Sequence, residues 1–353
     1  MEHIVLDTNI FLKENFLEGK RIRELLKLSE EEKIKIVLTE ITIGEVKSNF
    51  KKSSRQALKN LAEFRKPFES RVLRNNTIGK KLYDRIEKKE VEIEFNTDFD
   101  AILKKSKVEI IGYREVNIKK VFDKYFNEEY PFNGTDKKTE FPDAFALDLI
   151  EKWCEEKCIK CKVFSDDKDF LNYQSDLLDI TKDYEEYLNE KLQFLLTQEK
   201  RLTILEKLFV QNSNFIDKEI EQWYADKLDD TGIYWDVIWF EIHDIEVTEV
   251  LVKDKQYEIV ATDEEWIEIE VEVNLTFKVE VTIDDEEYSI YDDEDKVTRY
   301  FETKTEEIVR DTTAKISLLA YITDEDDYED EFEVLEINKD VDLEIKAEYK
   351  DNR

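Results

Sequence analysis

The sequence predicts an α/β domain on a central parallel sheet, then a helical connector, then an acidic all-β domain, a sandwich or an open barrel. Three observations predict this. Up to about Thr181, short apolar runs alternate with stretches of 3.6-residue spacing, the pattern of strands feeding helices in a parallel sheet. From about Asp183 to Asp230 the spacing is helical throughout, and after about Glu241 it shortens to two. A chain of 353 residues is long enough for two or three domains with cores of their own. The expected boundaries are 1–185, 186–240 and 241–353.

The first strand is the run Ile4, Val5, Leu6, and the next are residues 34–38, 108–111 and 162–164. Leu192, Leu195, Leu196, Leu202, Leu205 and Leu208 then mark one apolar face on what reads as a long connecting helix. Residues 271–283 alternate almost without a break, as a half-buried antiparallel strand should, and the alternation returns at 333–337 and 341–345.

Composition narrows the function. With only two histidines, His3 and His243, neither a serine-type triad nor a histidine metal cage is expected. Cys154, Cys158 and Cys161 are odd in number and lack a nearby fourth ligand, so reduced thiols are expected rather than disulfides or zinc. No apolar run reaches the roughly 18–20 residues of a membrane span, and the opening MEHIVLDTN has no secretion-signal pattern. A soluble, cytoplasmic protein without membrane contact is expected. The net charge of −34 is unevenly placed: the first 200 residues carry −3 and the rest −31. A polyanion repelled by the second half can therefore still be accepted by the first.

The chemical signal is the position of acids relative to strand ends, since ligands of open α/β sheets bind beyond the carboxyl ends of the strands. Asp7 directly follows the first strand, and Glu45 falls one to two turns into the helix that Thr39 caps. Asp143 lies beside Pro142 in a first helical turn, and Asp166, Asp167 and Asp169 follow the fourth strand. Each acid alone has an ordinary structural explanation: a cap, an exposed helix face, a dipole partner, a solvated turn. Together they can converge on one sheet edge, where several carboxylates stay ionised only around a divalent cation. All-oxygen ligands favour Mg²⁺ or Mn²⁺, and the usual chemistry of such a site is phosphodiester hydrolysis.

These pieces resemble the PIN-domain (VapC-like) nucleases: VLDTN at 5–9, the helix acid Glu45, PDAFAL at 142–147 and FSDDKDF at 164–170. The resemblance covers residues 1–185. It implies a PIN-like α/β fold in which Asp7, Glu45, Asp143 and Asp167 are the catalytic, metal-binding acids. Asn9, Ser165 and Asp169 would be auxiliary. It further implies a metal-dependent nuclease, foremost an endoribonuclease that hydrolyses single-stranded RNA to 5′-phosphate and 3′-hydroxyl ends, with the choice between RNA and DNA left open. By analogy, the role is that of a toxin or a phage-defence effector. The long gap between Glu45 and Asp143 signals inserted helices, and the whole layout resembles longer bacterial PIN proteins of DUF4935 type.

The insertion carries a net +8 over residues 51–90. Lys51, Lys52, Arg55, Lys59, Arg65, Arg71 and Arg74 are the expected nucleic-acid-binding residues, with Phe64, Phe68 and Tyr83 interleaved. The alternative reading is a catalytically degenerate RNA-binding scaffold. In it the acidic β domain docks on a regulatory protein or on the chain's own basic arm, and self-association is a further expectation. The acidic run at 324–333 reads as a solvated loop.

Overall fold

The computed structural model describes residues 1–113, 116–133, 139–231, 242–292, 297–300, 302–322 and 332–338. The chain divides into two units, Met1–Leu188 and Asn189–Arg353.

In the first unit the apolar runs become β1 (Glu2–Leu6), β2 (Ile34–Thr39), β3 (Glu109–Ile111) and β4 (Cys161–Phe164), joined by β5 (Leu178–Thr181). All pair in parallel, in the order β3-β2-β1-β4-β5. Val5 at the centre faces Val37 on one side and Val163 on the other, and all three are buried. Burial on both faces explains why these strands read as continuous apolar runs. The chain builds outward from β1 to β3 and then returns to β4 on β1's other side. The crevice between β1 and β4 is thus the topological switch point where ligands of such sheets bind.

The helices are α1 (Thr8–Lys13), α2 (Lys20–Glu30), α3 (Glu40–Phe64), the short α4 (Phe68–Arg71) and α5 (Thr77–Lys80), α6 (Lys88–Lys105), α7 (Ile118–Asn127), α8 (Phe141–Lys157), the short α9 (Lys168–Leu171) and α10 (Tyr184–Gln198). The Thr39 hydroxyl caps α3 by accepting the Thr42 N–H at 3.0 Å, and Pro142 sits in the first turn of α8. Inserted helices do fill the gap between Glu45 and Asp143. Phe50 of α3 stacks on Phe95 of α6 at 3.6 Å and meets Phe16 edge-on at 5.2 Å, which fixes the long helix against its neighbour.

In the second unit the single long helix is replaced by separate ones. α10 ends at Gln198, Lys200 takes a left-handed conformation (φ 62°), and α11 (Arg201–Gln211) and α12 (Ser213–Thr231) follow. The strands β6 (Ile242–Thr262), β7 (Trp266–Asp284), β10 (Thr303–Tyr321) and β11 (Phe332–Ile337) form one antiparallel sheet of order β11-β10-β7-β6. A separate hairpin pairs β8 (Ser289–Asp292) with β9 (Val297–Tyr300). Every second residue of β7 from Ile267 to Ile283 is buried, as its alternation requires. The cover comes from the helices: Tyr224 of α12 stacks on Phe277 at 5.5 Å, and Phe209 of α11 packs on Tyr257 at 4.7 Å. The alternation at 341–345 and most of the acidic run at 324–333 lie outside the described residues. Among the described residues, no helix is long and apolar enough to cross a membrane.

Candidate metal centre

β1 ends at Leu6, and Asp7 begins the crevice between β1 and β4. Its backbone N–H still bonds to the Phe164 carbonyl at 3.0 Å, so the side chain is delivered by the last rung of the ladder. Asp7 is 9% exposed and surrounded by donors. Its Oδ1 accepts the Thr8 N–H at 2.6 Å, while its Oδ2 accepts the Ser165 hydroxyl at 2.6 Å and the Asn9 amide at 2.7 Å. The same Asn9 amide donates to Ser165 Oγ at 3.0 Å, and Ser165 Oγ also accepts the Asp167 N–H at 3.0 Å. Asn9 and Ser165 therefore tie the end of β1 to the loop after β4. In that loop Asp167 caps α9 by accepting the Asp169 N–H at 2.6 Å, whereas Asp166 is exposed.

Glu45 reaches the same place from α3. Its Oε2 accepts the Thr8 hydroxyl at 2.8 Å, so the residue next to Asp7 holds it. Thr8 is a contact that the sequence reading missed, because nothing in VLDTN distinguishes a hydroxyl facing another helix from one facing solvent. Asp143 comes from the first turn of α8. Burial first, and then the charges of Asp7, Glu45, Glu140 and Asp167, push its carboxyl up to about 8. Burial likewise pushes Asp7 up to about 6, with Glu45 and Asp167 adding to the rise and the Ser165 and Thr8 hydrogen bonds opposing it. Asp169 is raised by burial and by Glu140 and Asp167. Glu140 is thus a further acid at this edge, one that spacing alone gave no reason to single out. Asp148, by contrast, accepts the Asn117 N–H at 2.7 Å on another face of α8.

The structure accordingly brings Asp7, Glu45, Asp143 and Asp167 within electrostatic reach of one another, and among the described residues none of them pairs with Lys or Arg. The carboxamide Oδ1 of Asn9 is buried without a hydrogen-bond partner. Among the described residues no three His, Cys, Asp or Glu side chains form a closed group able to hold a metal ion. Like charges hold themselves apart, so the site fits a hard cation by its charge and oxygen donors rather than by a finished cage. The three cysteines are free; Cys154 and Cys161 are buried and Cys158 is exposed.

The basic insertion is sorted by the fold. Arg55 pairs with Glu92 at 2.8 Å and Lys51 with the same carboxylate at 3.7 Å. Arg65 donates to the carbonyls of Leu82 at 2.5 Å and Asp84 at 2.9 Å, Arg71 donates to that of Lys66 at 2.8 Å, and Arg74 lies over the Tyr83 ring at 4.4 Å. These side chains help to shape the arm. Lys52 and Lys59 instead follow Glu45 by seven and fourteen residues, four turns of one helix face running away from the acids. Phe64 and Phe68 are exposed, and Tyr83 is half-buried.

Residues 4–170 match the family model of the PIN domain, a match that does not extend to the DUF4935-type layout. No curated protein and no solved structure matches the chain. PIN domains are typically hydrolases that cut nucleic acid with the help of divalent metals. The parallel five-stranded sheet and the acids at its carboxyl edge agree with that match, and residues 4–170 of this chain are a PIN domain.

Proposed function

We propose that this protein is an endoribonuclease that hydrolyses single-stranded RNA, using Mg²⁺ or Mn²⁺ held by Asp7, Glu45, Asp143 and Asp167. One observation carries the reading: four carboxylates from β1, α3, α8 and the β4 loop share one crevice with no basic partner among the described residues. A bound cation would supply charge neutralisation, water activation and stabilisation of the leaving oxygen. The chain's own groups have definite tasks. Ser165 and Asn9 fix the Asp7 carboxylate, Thr8 aims Glu45, and the loop ordered by Asp167 presents Asp169 at the rim. Lys52 and Lys59 receive the backbone of the strand as it leaves the acids along α3.

The experiment is cleavage of labelled single-stranded RNA and DNA with Mn²⁺, Mg²⁺ or EDTA, comparing wild type with Asp7→Asn. Metal-dependent cutting of RNA, lost in the variant, is the expected result. Equal cutting by the variant would overturn the site. Tight binding without any cutting would make the domain a scaffold. The toxin or defence role rests on analogy with other PIN proteins and is tested by whether expression of wild type, but not of Asp7→Asn, arrests growth.

A further inference from the structure

The edge that carries the acids also carries rings left in solvent. On α7, Ile118, Phe122 and Phe126 are spaced i, i+4, i+8 along one stripe and are 62%, 40% and 72% exposed. Most of the docking of this helix comes from elsewhere. α7 is held through its neighbouring face, where Val121 is buried, Lys120 pairs with Glu151 at 2.8 Å and Lys124 donates to the Tyr173 hydroxyl at 2.5 Å. Through Phe122 the stripe joins α8: its ring lies 5.4 Å from that of Phe141, which shares the first turn of α8 with Asp143.

On the other flank stands Tyr113, 57% exposed, just after β3. Its N–H donates to Glu40 Oε2 at 3.0 Å and its hydroxyl to the Glu40 carbonyl at 3.2 Å. That hydroxyl lies 3.8 Å from where a side chain on Gly44 would begin, one residue before Glu45. Exposed aromatic rings thus stand near the helix turns that carry Glu45 and Asp143.

A phenylalanine as exposed as Phe126 leaves most of its apolar area in water. A nuclease's own substrate offers a partner. Unpaired bases present π faces that stack on aromatic side chains irrespective of sequence, whereas a duplex keeps those faces to itself. Three of the four exposed side chains are aromatic, the stripe reaches through Phe122 to the helix turn of Asp143, and the exposed Lys119 beside it suits a phosphate backbone. We propose that the Phe122–Phe126 face of α7, together with Tyr113, is a stacking platform for the unpaired bases of single-stranded nucleic acid. The proposal rests on the nuclease reading for the identity of its ligand.

The test is binding of the full-length protein, in EDTA, to a short single strand carrying 2-aminopurine, whose fluorescence falls on stacking. Phe126→Ala should abolish most of the quench and weaken binding by about five- to a hundredfold. Phe126→Leu should do the same, because it restores apolar bulk without a π face, and Phe126→Trp should bind like wild type. A matched duplex should show no dependence on residue 126. The platform is overturned if the Ala and Leu variants quench and bind like wild type, or if Leu alone restores binding. It is equally overturned if Phe126→Ala changes the oligomeric state and leaves affinity for the strand unaltered, which would make the stripe a protein interface. The nuclease reading fails separately: a wild type that cuts nothing with Mn²⁺, yet whose quench is lost in Phe126→Ala, keeps the platform.

Discussion

In the second unit carboxylates stand along extended strands, and several meet a lysine from another strand of the same sheet. Glu270 lies 3.1 Å from Lys315, Asp311 lies 2.6 Å from Lys253, and Glu249 pairs with Lys278. In the first unit a far smaller number of acids crowds one crevice, beside buried Asp7, with no such partner among the described residues. A charge of −31 dispersed over residues 201–353 is compatible with an ordinary surface. Four carboxylates within electrostatic reach of one another, with no basic partner among the described residues, repel one another and so attract a cation. The lesson is that the local density of like charge, not its total, locates the chemistry.

The contrast breaks most sharply under substitution. Asp143→Asn should cut metal-dependent cleavage by more than about 100-fold, beyond the roughly 10–100-fold typical of groups that merely orient metal ligands. Glu270→Gln, in the acidic sheet, should leave cleavage at the wild-type rate. Comparable losses in both would mean that the two sets of acids are not functionally distinct. The next largest effect belongs to Thr8. Thr8→Val removes the bond to Glu45 and should cost about 10–100-fold in activity or in the Mn²⁺ concentration needed, and Thr8→Ser should restore it. A Ser variant as poor as Val would show that the hydroxyl is not what positions Glu45.

The pH dependence of stability sharpens the comparison further. The folded value of Asp143, about 8, lies above the roughly 4 of an unfolded aspartate, so the native state keeps a proton that the unfolded chain releases. Its contribution is fully present below about pH 4 and is lost as the pH rises to about 8; Asp7 adds in the same direction up to about 6. Thermal melts without divalent cations should therefore show a midpoint falling across this window. Asp143→Asn should flatten the fall, and Glu270→Gln should not. Parallel curves for wild type and Asp143→Asn would refute the assignment. The smallest effect concerns the arm: Lys52→Ala should lower the salt slope of RNA binding by about one, and Arg55→Ala, already committed to Glu92, by less. Equal slopes would mean that the helix face of Glu45 does not guide the strand.

Much of the first unit was legible because its signals are local. A strand followed at once by an acid, as at Leu6–Asp7, or a proline in a first turn, as at Pro142, is written in neighbouring residues. What escaped depends on contacts between distant segments. Thr8 with Glu45, Arg55 with Glu92 and Arg65 with the carbonyls of Leu82 and Asp84 are joined only by the fold. The break between α10 and α11 escaped for another reason. Glu199-Lys200 contains neither glycine nor proline, and the leucine spacing continues across it. Those leucines include Leu205 and Leu208, buried in a separate helix of the second unit.

Strand β6 uses its 21 residues to pair with the 17 of β7 from Ile267 to Ile283, slipping at four places, while β7 and β10 run in unbroken register for 19 pairs. A strand with surplus length can stay bonded to a straighter neighbour only by coiling around it, since each bulge adds bend and twist. At about 3.4 Å per residue the uninterrupted pair is some 60 Å long, far beyond the usual strand. A flat ribbon of that length would be a template for fibre growth. The four slips curl its outer rim, so that the exposed backbone of one molecule offers another no straight line to copy.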